Sequence, residues 1–228
     1  MRYHYFLLDA DETVFDFIAS SKESLRYALA QFSLPYSDEI YSLFKKHNDA
    51  VWREYERGAL TKAQLRVKRF ECFFAEQGVI ADAASVDKIY FDKLCTTGYL
   101  LDGADAFLSG LKERGEIYMI TNGTTAAQEG RIGASGIGKY LDGVFISDEL
   151  GVAKPHREFF DQVFSAVRKD KKRCVVIGDS LSSDILGANN AGVDSIWYNP
   201  KGQKEESFAR PTFTAGGYED ILRIIDKS

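Results

Sequence analysis

The chain has few cysteines, no long apolar run, no excess of positive charge and no low-complexity or repeated segment. Cys72, Cys95 and Cys174 are an odd number without a Cys-x-x-Cys pair, which argues against a disulfide framework or a thiolate zinc site and for free thiols. No stretch approaches the ~18 consecutive apolar residues of a membrane span. The apolar residues before Asp9 are too few for a signal peptide and end in acids. With 29 basic against 34 acidic residues, a net charge of −5 leaves no basic surplus for counterion release along a nucleic-acid backbone. A small anion can still bind, because local charge decides that case. These absences describe a soluble chain of a reducing compartment, expected to be cytoplasmic, a monomer or homodimer, with neither a membrane nor a polymeric nucleic acid as partner.

What is present is enough apolar material for a sizeable core. Of 228 residues, 45% are hydrophobic and 13% aromatic, which fits one large domain or two small ones. Short apolar runs ending in turn or cap residues occur at Tyr5–Leu8, Ile117–Ile120, Val144–Ile146, Cys174–Ile177 and Ser195–Tyr198. Such runs suit strands buried on both faces. Helix-patterned stretches at 103–113, 124–135, 157–168 and 182–191 lie between them. This alternation predicts an α/β domain with a parallel, Rossmann-like sheet.

Residues 16–95 break the rhythm. Apolar residues recur at helical spacing in four faces: Leu25, Leu29 and Phe32; Ile40, Leu43, Phe44, His47 and Val51; Leu65, Phe70, Phe73 and Phe74; Val86, Ile89, Tyr90 and Leu94. The expected organisation is therefore a core of residues 1–15 and 96–228, with an all-helical insertion after the first strand. Placed there, the insertion should hang over the carboxyl ends of the strands, where open parallel sheets bind ligands.

Those strand ends carry the chemistry-bearing residues. Asp9, Asp11 and Thr13 follow the first strand, Thr121 and Asn122 the second, and Asp179 and Asp184 the fourth; Lys154 lies on a loop beyond the third. Carboxylates crowded at one edge repel unless a cation sits among them, and an oxygen-only donor set suits magnesium. The ion and Lys154 would offset the charge of an incoming phosphate, and Thr121 and Asn122 could hydrogen-bond its oxygens. A carboxylate could then attack phosphorus, and a second acid could protonate the leaving alkoxide and later activate water. Taken singly, each group has a plainer explanation: a helix cap, a turn, a solvated lysine. Accidents of that kind would not recur at four successive strand ends.

Asp9-Ala10-Asp11-Glu12-Thr13, Thr121-Asn122-Gly123, Lys154-Pro155 and Gly178-Asp179 through Asp184 resemble, in order and spacing, the four motifs of the haloacid dehalogenase-like superfamily, and they span nearly the whole chain. The resemblance implies Asp9 as nucleophile and magnesium ligand. It implies Asp11 as general acid/base, with its backbone carbonyl on the metal. Asp179 would be a ligand, and Asp184 would bind the ion through water or orient Lys154. Thr121 and Asn122 would hold the phosphoryl group, Lys154 would bridge Asp9 and phosphate, and the helical insert would be the family's cap. Dehalogenases and phosphonatases lack an acid at position 11, so its presence points to phosphate esters. Glu12 stands where the family most often has glycine. Together with Ser182–Gly192, Trp197-Tyr198-Asn199 and Trp52–Gly58, it resembles a bacterial branch of pyrimidine 5′-nucleotidases. Sugar-phosphate or other small-metabolite phosphatases are the alternative; a phosphomutase of the β-phosphoglucomutase kind, which usually has Asp-Gly-Val after the second acid, is a weaker one.

Other residues have bland readings. Trp52 and Tyr55 could stack on a base but are expected in the packing of the helical insert. His47 is expected to be structural, His156 surface, and Trp197 core. The polar stretch 201–211 is expected to be a simple connection.

Overall fold

The structure is a computed structural model describing residues 2–204, 206 and 208–228. In chain order the elements are β1 (Tyr5–Leu8), α1 (Phe17–Gln31), α2 (Asp38–Glu56), α3 (Lys62–Gln77), α4 (Ala83–Leu94), α5 (Ala104–Lys112), β2 (Glu116–Thr121), α6 (Thr125–Ser135), β3 (Gly143–Ile146), α7 (Ser147–Leu150), α8 (Arg157–Val167), β4 (Cys174–Gly178), α9 (Leu186–Ala191), β5 (Asp194–Tyr198), β6 (Phe213–Ala215) and α10 (Tyr218–Lys227). A turn of π-type helix, Leu181–Ile185, leads into α9. The α/β class and parallel sheet expected from the sequence are what the chain adopts; β6 and α10 go beyond that expectation.

All six strands form one parallel sheet in the order β3-β2-β1-β4-β5-β6. Strand order reverses at β1, which pairs Leu8 with Met119 on one side and with Ile177 on the other. Alternate residues leave opposite faces. Phe6, Leu8, Ile117, Met119, Val175 and Ile177 pack with Phe107, Leu108 and Leu111 of α5 and Ile221 and Ile225 of α10. Leu7, Ile120 and Val176 pack with Phe159, Phe160 and Val163 of α8 and Ala188 of α9. Burial on both faces explains the uninterrupted apolar runs. Each buried Val, Leu, Ile, Phe or Met side chain among these stabilises the fold by about 1.5–3 kcal/mol relative to exposure.

Helices α1–α4 enclose a separate cluster built on Leu25, Leu29, Phe44, Phe70, Phe73, Val86, Tyr90 and Leu94. Local signals set their ends. Asp16 accepts the Ala19 N–H (2.7 Å) at the start of α1. Ser37 caps α2, with Asp38 and Glu39 in its positive first turn. Thr61 and Gln64 form a reciprocal capping box on α3, which stops at Gly78 with φ 66°. The chain leaves and re-enters the sheet side by side: Phe15 bridges Leu100, the Asp16 N–H donates to the Tyr99 carbonyl (3.0 Å), and the Leu101 N–H donates to the Val14 carbonyl (2.9 Å).

Candidate active site

The site begins where the strand order reverses, the place where open α/β sheets leave a crevice. Asp9 directly follows β1 and Asp179 directly follows β4. Thr13 ties the two loops: its hydroxyl donates to Asp9 Oδ2 (3.0 Å) and accepts the Asp179 N–H (3.1 Å). Trp197, buried as expected, donates its indole N–H to the Asp179 carbonyl (2.8 Å). Asp184 comes in from the π-type turn, with Oδ2 accepting the Ser180 N–H (3.1 Å). It fits only because residue 178 is glycine, since a Cβ there would lie 2.3 Å from Asp184 Oδ2.

Lys154 is 1% exposed. Its Nζ donates to Asp9 Oδ1 (2.7 Å), Asp184 Oδ1 (2.7 Å) and the Ile120 carbonyl (2.9 Å), so all three N–H donors are committed. Asn122 fixes the lysine's backbone. Its Oδ1 accepts the Lys154 N–H and its Nδ2 donates to the Lys154 carbonyl, both at 2.8 Å. The Asn122 side chain, expected on the phosphoryl group, here holds Lys154.

One ammonium does not balance three carboxylates. Burial first, then the charge of Asp184, pushes the Asp9 pKa up to about 7, against the pull of Lys154. Burial, then Asp9 and Asp184, pushes Asp179 well above the usual carboxylate range. Burial alone would lower the lysine; Asp184 and Asp9 outweigh it and the net shift is upward. Oxygens of Asp9, Asp179 and Asp184 lie within 4.8 Å of one another, an all-oxygen donor set for a hard divalent cation.

Asp11 does not join them. Its carboxylate turns to α6, where Gln128 Nε2 donates to Oδ2 (2.9 Å) and Arg131 Nη1 pairs with Oδ1. Thr121 Oγ1 accepts from Gln128 Nε2 and from the Gly123 N–H, both at 3.0 Å. With both lone pairs engaged, its own proton remains to donate toward the cleft. Glu12 adopts φ 60°, the left-handed conformation that costs a side chain about 1–2 kcal/mol and glycine little. Its carboxylate accepts the Ile18 N–H (3.1 Å) at the start of α1.

The cleft above this floor has a volume of about 730 Å3, within the range of small-molecule sites. Asn48, Asp49, Trp52, Arg53 and Glu56 of α2 overhang it, and Gln203, Glu206 and Phe208 border it. Two expectations change here. Trp52 lies outside the apolar cluster of α1–α4 and walls the cleft, edge-on to Tyr55 at 5.6 Å, because its position on α2 faces the sheet edge. The 201–211 stretch is part of the cleft rim, with Phe208 51% exposed; positions 205 and 207 lie outside the described residues. His156 is exposed, and His47 pairs with Glu76 (2.8 Å), as surface and structural roles require. Gln128 and Arg131 escape the sequence reading altogether, since a lone Gln and Arg at i, i+3 on a helix look like a solvated face.

The model of haloacid dehalogenase-like hydrolases matches residues 3–192. The chain belongs to this family. Among its curated family relatives, the pyrimidine 5′-nucleotidase PynA of Streptococcus pneumoniae is 34% identical over 100% of this chain and 97% of its own. The pyrimidine 5′-nucleotidase YjjG of Escherichia coli is 30% identical over the whole of both chains. Among solved structures, the putative haloacid dehalogenase-like hydrolase YfnB from Bacillus subtilis, bound to magnesium, superposes with a TM-score of 0.93 at 30% identity, covering 99% of this chain and 100% of that one. The family assignment makes the chain a hydrolase, and the floor of the cleft is where the residues that follow β1, β2 and β4 meet Lys154.

Proposed function

We propose that this hydrolase is a magnesium-dependent phosphatase of small phosphate monoesters, nucleoside 5′-monophosphates foremost, acting through an aspartyl-phosphate on Asp9. The observation that carries the reading is the convergence of Asp9, Asp179 and Asp184, with Lys154 paired to Asp9 and Asp184, at the floor of a cleft large enough for a nucleotide. The donor set fits magnesium: all oxygen, under-neutralised, with two carboxylates whose charged forms are penalised as they stand. Asp9, Asp179 and Asp184 would hold the ion, with the Asp11 carbonyl. When bound, it would offset the charge of these groups and of the phosphate.

The remaining work falls to the chain. Thr13 and Lys154 hold the two Asp9 oxygens in place, so one is aimed at phosphorus without losing its orientation. Thr121 donates to a phosphoryl oxygen. Asp9 attacks, the bond from phosphorus to the ester oxygen breaks, and Asp11 gives that oxygen a proton. Asp11 then takes a proton from water as the water oxygen attacks phosphorus and Asp9 is released. Helices α1–α4 act as a cap, inserted as residues 16–95 into a core of 1–15 and 96–228. Lys62 latches cap to core through Ser147 Oγ (2.9 Å) and Asp148 (3.1 Å). Trp52 and Phe208 offer apolar faces for a base, and two relatives are pyrimidine 5′-nucleotidases. The free cysteines support a cytoplasmic setting.

The test is phosphate release from a panel of nucleoside monophosphates and sugar phosphates with magnesium. The expected result is turnover of the nucleotides, with pyrimidines ahead. Folded protein that hydrolyses no phosphate ester ends the proposal. Preference for sugar phosphates would move it to the metabolite phosphatases, and an isomeric phosphate in place of free phosphate would make it a mutase.

A further inference from the structure

Arg131 is an expensive residue for its position. It is 1% exposed, its guanidinium lies 4.4 Å from the Phe15 ring and 5.6 Å from that of Phe17, and its Nε and Nη2 are buried without a hydrogen-bond partner among the described residues. A buried cation with unmet donors destabilises a fold unless it serves a partner. Among the described residues its ion-pair partner is Asp11. Gln128, also 1% exposed, takes the other Asp11 oxygen and reaches Thr121 with the same nitrogen. Space is cleared for it: a Cβ at Gly123 would stand 2.3 Å from Gln128 Nε2.

Helix α6, which carries both residues, is also pressed against the segment returning from the cap. A Cβ at Gly130 would lie 2.1 Å from the Cys95 carbonyl oxygen, and one at Gly98 would lie 2.5 Å from the Ser135 nitrogen. Backbone meets backbone at both points. Arg131 itself lies over Phe15 and Phe17, on the segment leading out to the cap. Both connections to the helices thus bear on the helix that grips Asp11.

We infer that Gln128 and Arg131 are positioning residues for Asp11, holding its carboxylate apart from the three clustered acids and linking its placement to the cap connections. The inference rests on the proposed acid/base role of Asp11. Paired with Arg131, Asp11 stands in the structure as the carboxylate, the form in which giving its proton to the ester oxygen leaves it. Two N–H donors already aimed at its oxygens stabilise that product without reorganisation, and they keep it in place to accept the proton of water.

The test uses phenyl phosphates substituted to vary the basicity of the leaving oxygen, read as kcat/KM. A strongly basic leaving oxygen needs the proton, and a nitrophenolate does not. Asp11→Asn is expected to lower the phenyl to 4-nitrophenyl ratio about 100-fold relative to wild type. Arg131→Met and Gln128→Leu, folded by circular dichroism, are expected to lower it about tenfold each. A purely structural role would lower both esters alike. If Asp11→Asn shifts the ratio and the other two leave it unchanged, the inference is overturned while the acid/base reading stands. If Asp11→Asn leaves the ratio unchanged, both are overturned. Should Arg131→Met not fold, Gln128→Leu decides alone.

Discussion

Two buried clusters of opposite charges bear comparison, one at the sheet edge and one among the helices. In the helices, Asp87 is gripped by two guanidinium groups: Arg69 Nη2 on Oδ1 (2.7 Å) and Arg66 on Oδ2 (2.8 Å). Arg69 also donates to Asn48 Oδ1 (3.2 Å) and stands 4.6 Å from the Tyr90 ring. Positive charge is in surplus there, and aromatic rings enclose it. At the sheet edge, Asp9 and Asp184 share one ammonium, Asp179 stands beside them without one, negative charge is in surplus, and the cluster opens on the cleft. The ingredients are alike, but a closed cluster holds helices together, whereas an open and unbalanced one is ready for a cation and an electrophile.

The contrast can be broken from either side. Asp9→Asn should remove turnover by a factor on the order of 10^4 or more, since an amide is a far poorer nucleophile; phosphate release measures it, and surviving activity would take Asp9 out of its role. Lys154→Met should cost about 10²–10³ in kcat, because Asp9 and Asp184 lose the ammonium that orients and partly neutralises both. Asp87→Asn should do the reverse. Leaving Arg69 buried without its counter-ion should cost about 3–5 kcal/mol of stability in urea unfolding, with kcat per folded molecule within about threefold of wild type, because Asp87 touches neither the clustered acids nor Asp11. Equal losses of activity in the last two variants would dissolve the distinction.

Acidity sharpens the same contrast. The folded-state pKa of Asp9, about 7, lies above the ordinary 3.8. Between these values the native protein binds the proton more tightly than the unfolded chain. Its contribution to stability is therefore full below pH ~4 and is lost as the pH rises through ~7. A divalent cation favours the charged form, so the rise in Tm caused by magnesium should grow across that window. A magnesium effect independent of pH would contradict it. The smallest expected effect lies at the roof: Trp52→Ala should raise KM for nucleoside monophosphates about tenfold, the value of one stacked base, and change that for glycerol phosphate much less.

Much of this was legible beforehand, for physical reasons. Buried parallel strands must be apolar throughout, so the runs at Tyr5–Leu8 and Cys174–Ile177 announce themselves, and the acids that follow them fall at strand ends by construction of the fold. The amphipathic faces of α1–α4 are equally plain. Helix α10 has its own signal in the i, i+4 pair Ile221 and Ile225, which a reading centred on strand runs passes over. The three-residue β6 at the sheet edge has almost none. Residues that act through others leave the least trace. Nothing local distinguishes Gln128 and Arg131 from a solvated helix face, because their meaning comes from Asp11, 117 and 120 positions away. Trp52 misleads similarly: an aromatic on an amphipathic helix reads as core until the neighbouring sheet edge is in place.

The bridge between Phe15 and Leu100 has a topological consequence. Because the two ends of the helical excursion are hydrogen-bonded to each other, the sheet feels only a closed doorway, whatever lies beyond it. The entropy of closing a loop at that doorway grows only slowly with its length. Helical modules of very different size could therefore be exchanged there over evolutionary time without disturbing strand register, so that selectivity can diversify while the reaction centre is inherited intact.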